Sequence, residues 1–353
     1  VSDRGAQGPL TFPSLPVNPP TLADVAERAG VSRQTVSNAV NNPALLRTDT
    51  LVRVQQAIAE LGYSPNRAAR SLRTRASHLV GLRFTPAQEG TANALMDRFV
   101  HSLVAATAQV GYHVLLFADD DTEPLSAYDH LLRSTAVDAF IVTDTYLGAP
   151  QAAWLTQQRA PFVAFGRPWE DPHASHAWVD VDGAAGAALA CDHLLDQGHT
   201  RVAWIGWRKD SFIGEDRRSG WSRAMHARGL PTSGLASRVE DTVASGREAA
   251  AVLIDEAHPT AFVCASDTLA LGVLQTLFDR GMVAGRDLAV VGFDDSQVAQ
   301  VVPPGLTSVR QPLEQVAVEV VRALQGLLAT PPLAMPGVLL TPTLSVRGSS
   351  TGA

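Results

Sequence analysis

"TLADVAERAGVSRQTVSNAV", residues 21–40, sets two helical periods on either side of one glycine. Leu22, Val25, Ala26 and Ala29 recur at the spacing of a single helical face. Gly30 admits a tight turn and Val31 plugs the corner. Ser32 suits the N-cap of a second helix, which carries Val36, Ala39 and Val40 on its inner side. Two short helices joined this way predict a helix-turn-helix. In that arrangement the second helix enters the DNA major groove and its first residues reach base edges. Here those residues are Arg33, Gln34 and, one turn on, Asn38. Arginine pairs bidentately with guanine, and Gln or Asn with adenine.

The charge distribution agrees. Between Pro20 and His78 eight arginines face four acids, although the whole chain carries −7. A small basic head on an acidic body predicts that the head alone meets a polyanion. A chain of 353 residues, 46% hydrophobic and 18% charged, has room for two or three domains. No apolar run reaches the length of a membrane span. The proline-rich stretch 1–19 lacks the apolar core of a secretory signal and predicts a disordered leader, which implies a cytoplasmic protein. Cys191 and Cys264 sit in distant apolar segments and read as buried, reduced thiols.

A third helix is predicted from about Thr48 to Leu61, with Leu51, Val54, Ile58 and Leu61 as its apolar face and Gly62 as its stop. Then comes "YSPNRAARSLRTRAS", residues 63–77. Ser64 and Pro65 suit a helix start, but the segment has too few apolar residues to hold a short helix by itself. It reads either as a basic linker or as a hinge that becomes helical only on DNA, against a second copy of itself.

From Leu79 onward short apolar runs alternate with amphipathic stretches. "LVGLRF", "HVLLFA", "AFIVTD", "FVAFG", "RVAWIG", "AFVCAS" and "LAVVGFDD" are strand-length and bounded by Gly, Asp or Pro. Continuous apolar strands alternating with helices predict α/β architecture with parallel sheets covered on both faces. The run is too long for one open sheet, so two lobes are expected. Ligands of such sheets bind beyond the carboxyl ends of the strands, which makes the cleft between lobes the natural pocket.

Residues 21–78 resemble the headpiece of the lactose-repressor (LacI/GalR) family, whose pattern is T-x-x-D-V-A-x-x-A-G-V-S-x-x-T-V-S, an N, and later L-G-Y-x-P-N-x-x-A-R-x-L. Thr21, Asp24, Val25, Ala26, Ala29, Gly30, Val31, Ser32, Thr35, Val36, Ser37 and Asn41 match, as do Leu61, Gly62, Tyr63, Pro65, Asn66, Ala69, Arg70 and Leu72. The body resembles periplasmic sugar-binding proteins in "VDVDGAAG", "HLLDQGHTRVAWIG", "DRRSGW", "CASDTLALG", "VVGFDDS" and "LTSVRQP". The resemblance implies an all-α helix-turn-helix headpiece followed by a two-lobed, type I periplasmic-binding-protein-like sensor. Its expected divisions are the leader 1–19, the headpiece 20–63, a hinge 64–78, a ligand-binding domain 79–347 and a tail 348–353. Lobe 1 would take about 79–178 and 311–336, and lobe 2 about 179–307 and 338–347. Crossovers are expected near Trp178, Thr307–Gln311 and Gly337.

The resemblance also implies a homodimeric repressor on a pseudo-palindromic operator, tuned by a small molecule in the cleft. Sugar is the expected class, with a purine or nucleoside as the alternative regulator ligand and a transport-type solute-binding protein as the remoter reading. The implied DNA-binding residues are Thr21, Ser32, Arg33, Gln34, Thr35, Ser37, Asn38, Asn41, Asn66, Arg67, Ala69 and Leu72. Leu72 would wedge with its dimer mate into the minor groove. The second-turn position, often Arg in the family, is Asn38, which leaves the half-site preference open. In the cleft the family would use Arg217 and Asp294 as ligand anchors and Ser266 where relatives often carry Asn. Asp97, Arg167, Trp207 and Phe293, near strand ends or a first helix, complete the expected ligand set. Arg83, Phe84, Phe99, Trp169 and Asp216 share such positions. The ten histidines form no metal constellation, no catalytic set is visible, and no GxGxxG follows the first strand, so neither a cofactor nor an enzymatic role is expected.

Overall fold

The computed structural model describes residues 20–63, 76–84, 93–118, 123–143, 145–146, 148–169, 171 and 173–351. The chain divides into two compact units, Val1–Ser77 and His78–Ala353. Among the described residues no helix is long and apolar enough to cross a membrane.

The first unit holds α1 (Leu22–Ala29), α2 (Arg33–Asn41), one 3-10 turn (Pro43–Leu45) and α3 (Thr48–Leu61). Thr21 opens α1 with a reciprocal cap. Its hydroxyl accepts from the Ala23 N–H at 3.2 Å, and the Asp24 carboxylate accepts from the Thr21 N–H at 2.7 Å. The Thr21 N–H and hydroxyl, both donating to it, hold the Asp24 carboxyl below its ordinary value. Gly30 ends α1 and Gly62 ends α3 in the left-handed region, at φ 63° and 62°, where a side chain would be strained. Val25, Val36 and Val54, one from each helix, are fully buried and form the centre of a small core closed by Tyr63. Val40, expected inside, is only half-buried. The stretch 64–75, with Asn66, Arg67, Ala69 and Leu72, lies outside the described residues, as does the leader 1–19.

The second unit contains two six-stranded sheets. In the first, the order is β11-β5-β4-β3-β1-β2, built from β1 (Leu79–Arg83), β2 (His113–Phe117), β3 (Ala139–Val142), β4 (Phe162–Phe165), β5 (Ala177–Val181) and β11 (Val338–Leu340). Every pairing in it is parallel. In the second, the order is β12-β10-β9-β8-β6-β7, built from β6 (Val202–Trp207), β7 (Ala236–Val239), β8 (Ala261–Cys264), β9 (Ala289–Phe293), β10 (Thr307–Arg310) and β12 (Thr343–Ser345). Only β12 runs antiparallel there, against β10. Each sheet has its own core, which makes each a lobe. Cys191 and Cys264 are buried and unbridged, and burial pushes both thiols up.

The chain crosses between lobes three times, displaced from two of the expected places. All of β5 belongs to lobe 1, so the first crossing is at Asp182, past Trp178, where that carboxylate caps α7 (Gly183–Asp196) by accepting the Ala185 N–H at 2.8 Å. The second, at Gln311–Pro312, falls at the expected segment and leads into α12 (Leu313–Leu328). The third follows β11, at Thr341–Pro342 rather than Gly337, because Val338–Leu340 pair with β5 of lobe 1. The expected tail is also integral. Ser349 and Ser350 are buried, with the Ser349 hydroxyl donating to the Val290 carbonyl at 2.6 Å and accepting the Thr307 N–H at 2.8 Å. A Gly-Ser composition reads as a loose end, yet here its hydroxyls satisfy backbone groups of β9 and β10.

One close contact seats a helix of lobe 2. The helix α8 (Phe212–Ala227) lies on α7, and a Cβ at Gly220 would collide with the Ala184 carbonyl. Backbone cannot yield there, so Gly220→Ala should lower the melting temperature by several degrees, from about 1–3 kcal/mol of overpacking at ~2–4 °C per kcal/mol. Arg223→Ala, on the exposed face of the same helix, should leave it unchanged. Differential scanning calorimetry of the two variants separates close packing from helix propensity.

Candidate functional site

In the first unit α2 turns Arg33 and Gln34 to solvent at its start, with Ser37 and Asn38 half-exposed one turn on. The Gln34 Nε2 donates to the Asn38 Oδ1 at 3.0 Å, so two amides present themselves as a linked pair. The Ser32 hydroxyl accepts the Thr35 N–H at 3.1 Å and lies 2.9 Å from the Thr35 hydroxyl. Asn41 folds back onto Ser37, its Nδ2 donating to the Ser37 carbonyl at 2.6 Å. Thr21, Ser32, Thr35 and Asn41 therefore build the helix ends, while Arg33, Gln34 and Asn38 lie on the outer side of α2. Such N-terminal N–H groups and hydroxyls are also what positions a phosphate.

The second site is the interlobe cleft, a cavity of about 160 Å³ beyond the carboxyl ends of β3, β4 and β5 on one side and of β6 and β9 on the other. Arg217 of α8 is its centre. Only 4% of the residue is exposed, and its guanidinium lies 3.7 Å from the Phe293 ring centroid and 4.9 Å from that of Trp207. Nη1 donates to the Ala265 carbonyl at 2.5 Å and lies 3.5 Å from the Asp294 carboxylate. Burial works against the arginine's charge, and Asp294 opposes that shift. The two aromatic faces add cation–π attraction to a side chain that is almost wholly buried.

Asp294 follows β9 with φ 105°, in a region that costs a non-glycine residue about 1–3 kcal/mol. Its carboxylate accepts from Gln311 Nε2 at 2.7 Å and keeps 20% of its side chain exposed. Burial pushes this carboxyl up to about 7, against the pull of Arg217. The strain is held from below. Asp267, itself buried, accepts the Ser296 N–H at 2.7 Å and the Ser308 hydroxyl at 2.6 Å, and Asp295 pairs with Arg347 at 2.6 Å.

Three N–H groups on the cavity wall are buried without a hydrogen-bond partner: Arg217 Nε, Trp169 Nε1 and Trp207 Nε1. Native structures leave few such groups unsatisfied, since each costs about 1–3 kcal/mol. Three unsatisfied donors among aromatic side chains of one cavity wall suit a ligand rich in acceptor oxygens.

The other expected ligand residues are placed differently. The Arg167 guanidinium stacks 4.3 Å over Trp169 and is already paired, to Asp180 at 2.7 Å and to Asp216 at 3.4 Å. Asp216 lies on α8, so Arg167 joins the two lobes. Asp216 also accepts the Ala184 N–H at 3.0 Å, and burial raises its carboxyl. Ser266 does not reach the cavity. It caps α10 (Asp267–Asp279), accepting the Leu269 N–H at 3.2 Å while donating to Asp241. Asp97 points outward from α4 (Asn93–Gln109), 3.5 Å from His101, because the helical phase gives the cavity its neighbour Met96 instead. Trp169 and Asp216, which the sequence reading placed among the pocket candidates, line the cavity, as does Gln311, which it did not name for this role. Among the described residues no cluster of His, Cys, Asp or Glu could hold a metal ion.

Comparison with known proteins matches both units to described families. Residues 21–66 match the bacterial regulatory proteins of the lacI family, and residues 191–350 match the periplasmic binding protein-like domain. The HTH-type transcriptional regulator CelR of Thermobifida fusca is 34% identical over 314 residues, 86% of this chain and 91% of that protein. A solved complex of the regulator CelR with cellobiose superposes with a TM-score of 0.70 at 30% identity, covering 94% of this chain and 99% of the other. The lac repressor dimer bound to operator and an anti-inducer gives 0.78 at 26% identity, covering 95% and 100%. The chain belongs to the LacI family of bacterial transcriptional regulators, DNA-binding proteins rather than enzymes.

Proposed function

We propose that the protein is a cytoplasmic, homodimeric repressor of carbohydrate-utilisation genes, whose hold on a pseudo-palindromic operator is set by a neutral sugar in the interlobe cleft. The observation that carries this reading is Arg217, held between Trp207 and Phe293 with its Nε unsatisfied beside two unsatisfied indole N–H groups. Sugar rings offer both things this wall lacks: apolar faces for the aromatics and hydroxyl oxygens for the donors. The Asp294 carboxylate then accepts from a hydroxyl. The complex of CelR with cellobiose supports a sugar over a purine or nucleoside. In the headpiece, Arg33 and the linked pair Gln34–Asn38 read bases, while Thr21, Ser32, Thr35, Ser37 and Asn41 hold the helix to phosphates. Asn66, Arg67, Ala69 and Leu72 make the hinge contacts in this reading, Leu72 as a minor-groove wedge.

Arg217→Ala should lower sugar affinity tenfold or more, the loss of a charged hydrogen bond worth about 1.5–3 kcal/mol. Isothermal titration against neutral sugars checks it, and an unchanged isotherm removes Arg217 from the site.

Affinity should also depend on pH through Asp294. Its carboxyl takes up a proton as the pH falls through about 7. A sugar hydroxyl donates to the ionised form, so binding pulls that carboxyl down again. Affinity should therefore hold above pH 7 and decline below it. Asp294→Asn should flatten this profile, whereas a slope of the opposite sign would mean that the ligand accepts a proton from Asp294.

On DNA, Arg33→Ala and Gln34→Ala should each relax preference at one operator position by about 1–3 kcal/mol. Selection of binding sites from a random pool reads this directly. A parent-like consensus from both variants would leave these residues as phosphate contacts.

A further inference from the structure

Two primary amides near the start of α2 answer each other. Gln34 is exposed and Asn38 half-exposed, and Gln34 Nε2 donates to Asn38 Oδ1 at 3.0 Å. Four residues along a helix advance about 6 Å and turn slightly more than once, so the two side chains share a face. Val36 and Ala39 take the opposite face into the three-helix core, which leaves the pair on the outer side. Among the described residues each amide makes this one side-chain hydrogen bond.

The bond gives the two amides different tasks. A primary amide has two N–H donors and one carbonyl acceptor. One Gln34 N–H is taken by the Asn38 carbonyl, which leaves Gln34 its Oε1 acceptor beside its second N–H. Adenine offers the complement of that edge in the major groove, an N6 donor next to the N7 acceptor. Guanine offers two acceptors, N7 and O6, and sets an oxygen against the Gln34 carbonyl. An unheld glutamine meets guanine by turning both N–H groups toward it. A glutamine held at one N–H has lost that option, and its side chain is ordered before DNA arrives. A donor-only side chain such as arginine at position 38 could not accept the Gln34 N–H, so the brace depends on the amide that this chain carries there.

We propose that Asn38 is a positioning residue for Gln34: its side-chain carbonyl holds one amide hydrogen of Gln34, so that the remaining edge of that amide selects adenine over guanine in the operator half-site. This rests on the base-reading role given to Gln34 above. It assigns to Asn38 a part in specificity that acts through another side chain.

The test uses the full-length protein and binding sites selected from a random pool. Comparing the sites selected by the parent and by Gln34→Ala identifies the base pair that Gln34 reads, and competition titrations then compare all four bases there. The parent should prefer adenine by about fivefold or more, the low end for a bidentate contact. Asn38→Ala should reduce that preference to about twofold or less at the same base pair, and the double variant Gln34→Ala/Asn38→Ala should match Gln34→Ala alone there, as for two residues acting as one unit. Asn38→Asp keeps an acceptor for the Gln34 N–H and should retain the adenine preference. Its charge weakens binding to every site alike, and low salt keeps that binding measurable. Thermal melts identify a variant that fails to fold, and Asn38→Leu, of similar size but without an acceptor, then replaces Asn38→Ala. A preference for another base, an adenine preference that survives loss of the acceptor, or one that is lost in Asn38→Asp overturns this inference while leaving Gln34 as a base reader. Selected sites unchanged by Gln34→Ala overturn the base-reading role of Gln34 and this inference with it.

Discussion

The sensor is organised around a buried positive charge. A guanidinium with 4% of its residue exposed would be strongly disfavoured alone, and the fold surrounds Arg217 with what makes it tolerable: a carbonyl, a carboxylate and two aromatic faces. They come from the ends of three strands. Ala265 follows β8, Trp207 ends β6, Phe293 ends β9 and Asp294 follows it. The sheet must therefore be in register before the arginine is satisfied. The packing of Gly220 on Ala184 sets α8 at the depth from which its side chain reaches them. Even the strain at Asp294 belongs to this arrangement, because the unusual φ turns the carboxylate back toward Arg217 while Asp267, Asp295 and Arg347 fix the loop beneath.

The headpiece was legible almost residue by residue because its determinants are local. Caps at Thr21 and Ser32, stops at Gly30 and Gly62 and the three-helix core all follow from spacing within a few turns. The sensor was legible as alternating strands and helices, and strand ends pointed to Trp207, Phe293 and Asp294. What escaped depends on contacts across the fold. Gln311 gave no local sign of facing Asp294, since the two meet only because β10 pairs in parallel with β9. Ser266 looked like a free polar group at a strand end, but its hydroxyl is used by a helix cap and by Asp241. Asp97 and Met96 differ by one helical step, about 100°, which sequence cannot phase without knowing where the opposite lobe sits. Crossovers were misplaced for a similar reason. The short strand Val338–Leu340 has no mark of which sheet it joins until its partner β5 is known.

Two arginines of lobe 1 reach lobe 2 around the ligand cavity. Arg167 meets Asp216 on α8, and Arg98 of α4 donates to the Asp294 and Asp295 carbonyls at 3.3 and 3.4 Å. Asp216 lies beside Arg217 in the cavity wall, and the two carbonyls follow Phe293, which also lines it. A ligand that draws on Arg217 and Asp294 acts on the same helix and loop that these arginines grip. Binding and lobe angle are then not separable events. Any free energy by which the ligand prefers one lobe angle appears in these ion pairs and hydrogen bonds as well, and by linkage whatever fixes the lobe angle alters ligand affinity to the same degree. The same holds for operator DNA to whatever extent its binding favours one lobe angle. Reciprocity then requires that the operator-bound protein and the free protein differ in sugar affinity by the same factor by which sugar changes operator affinity.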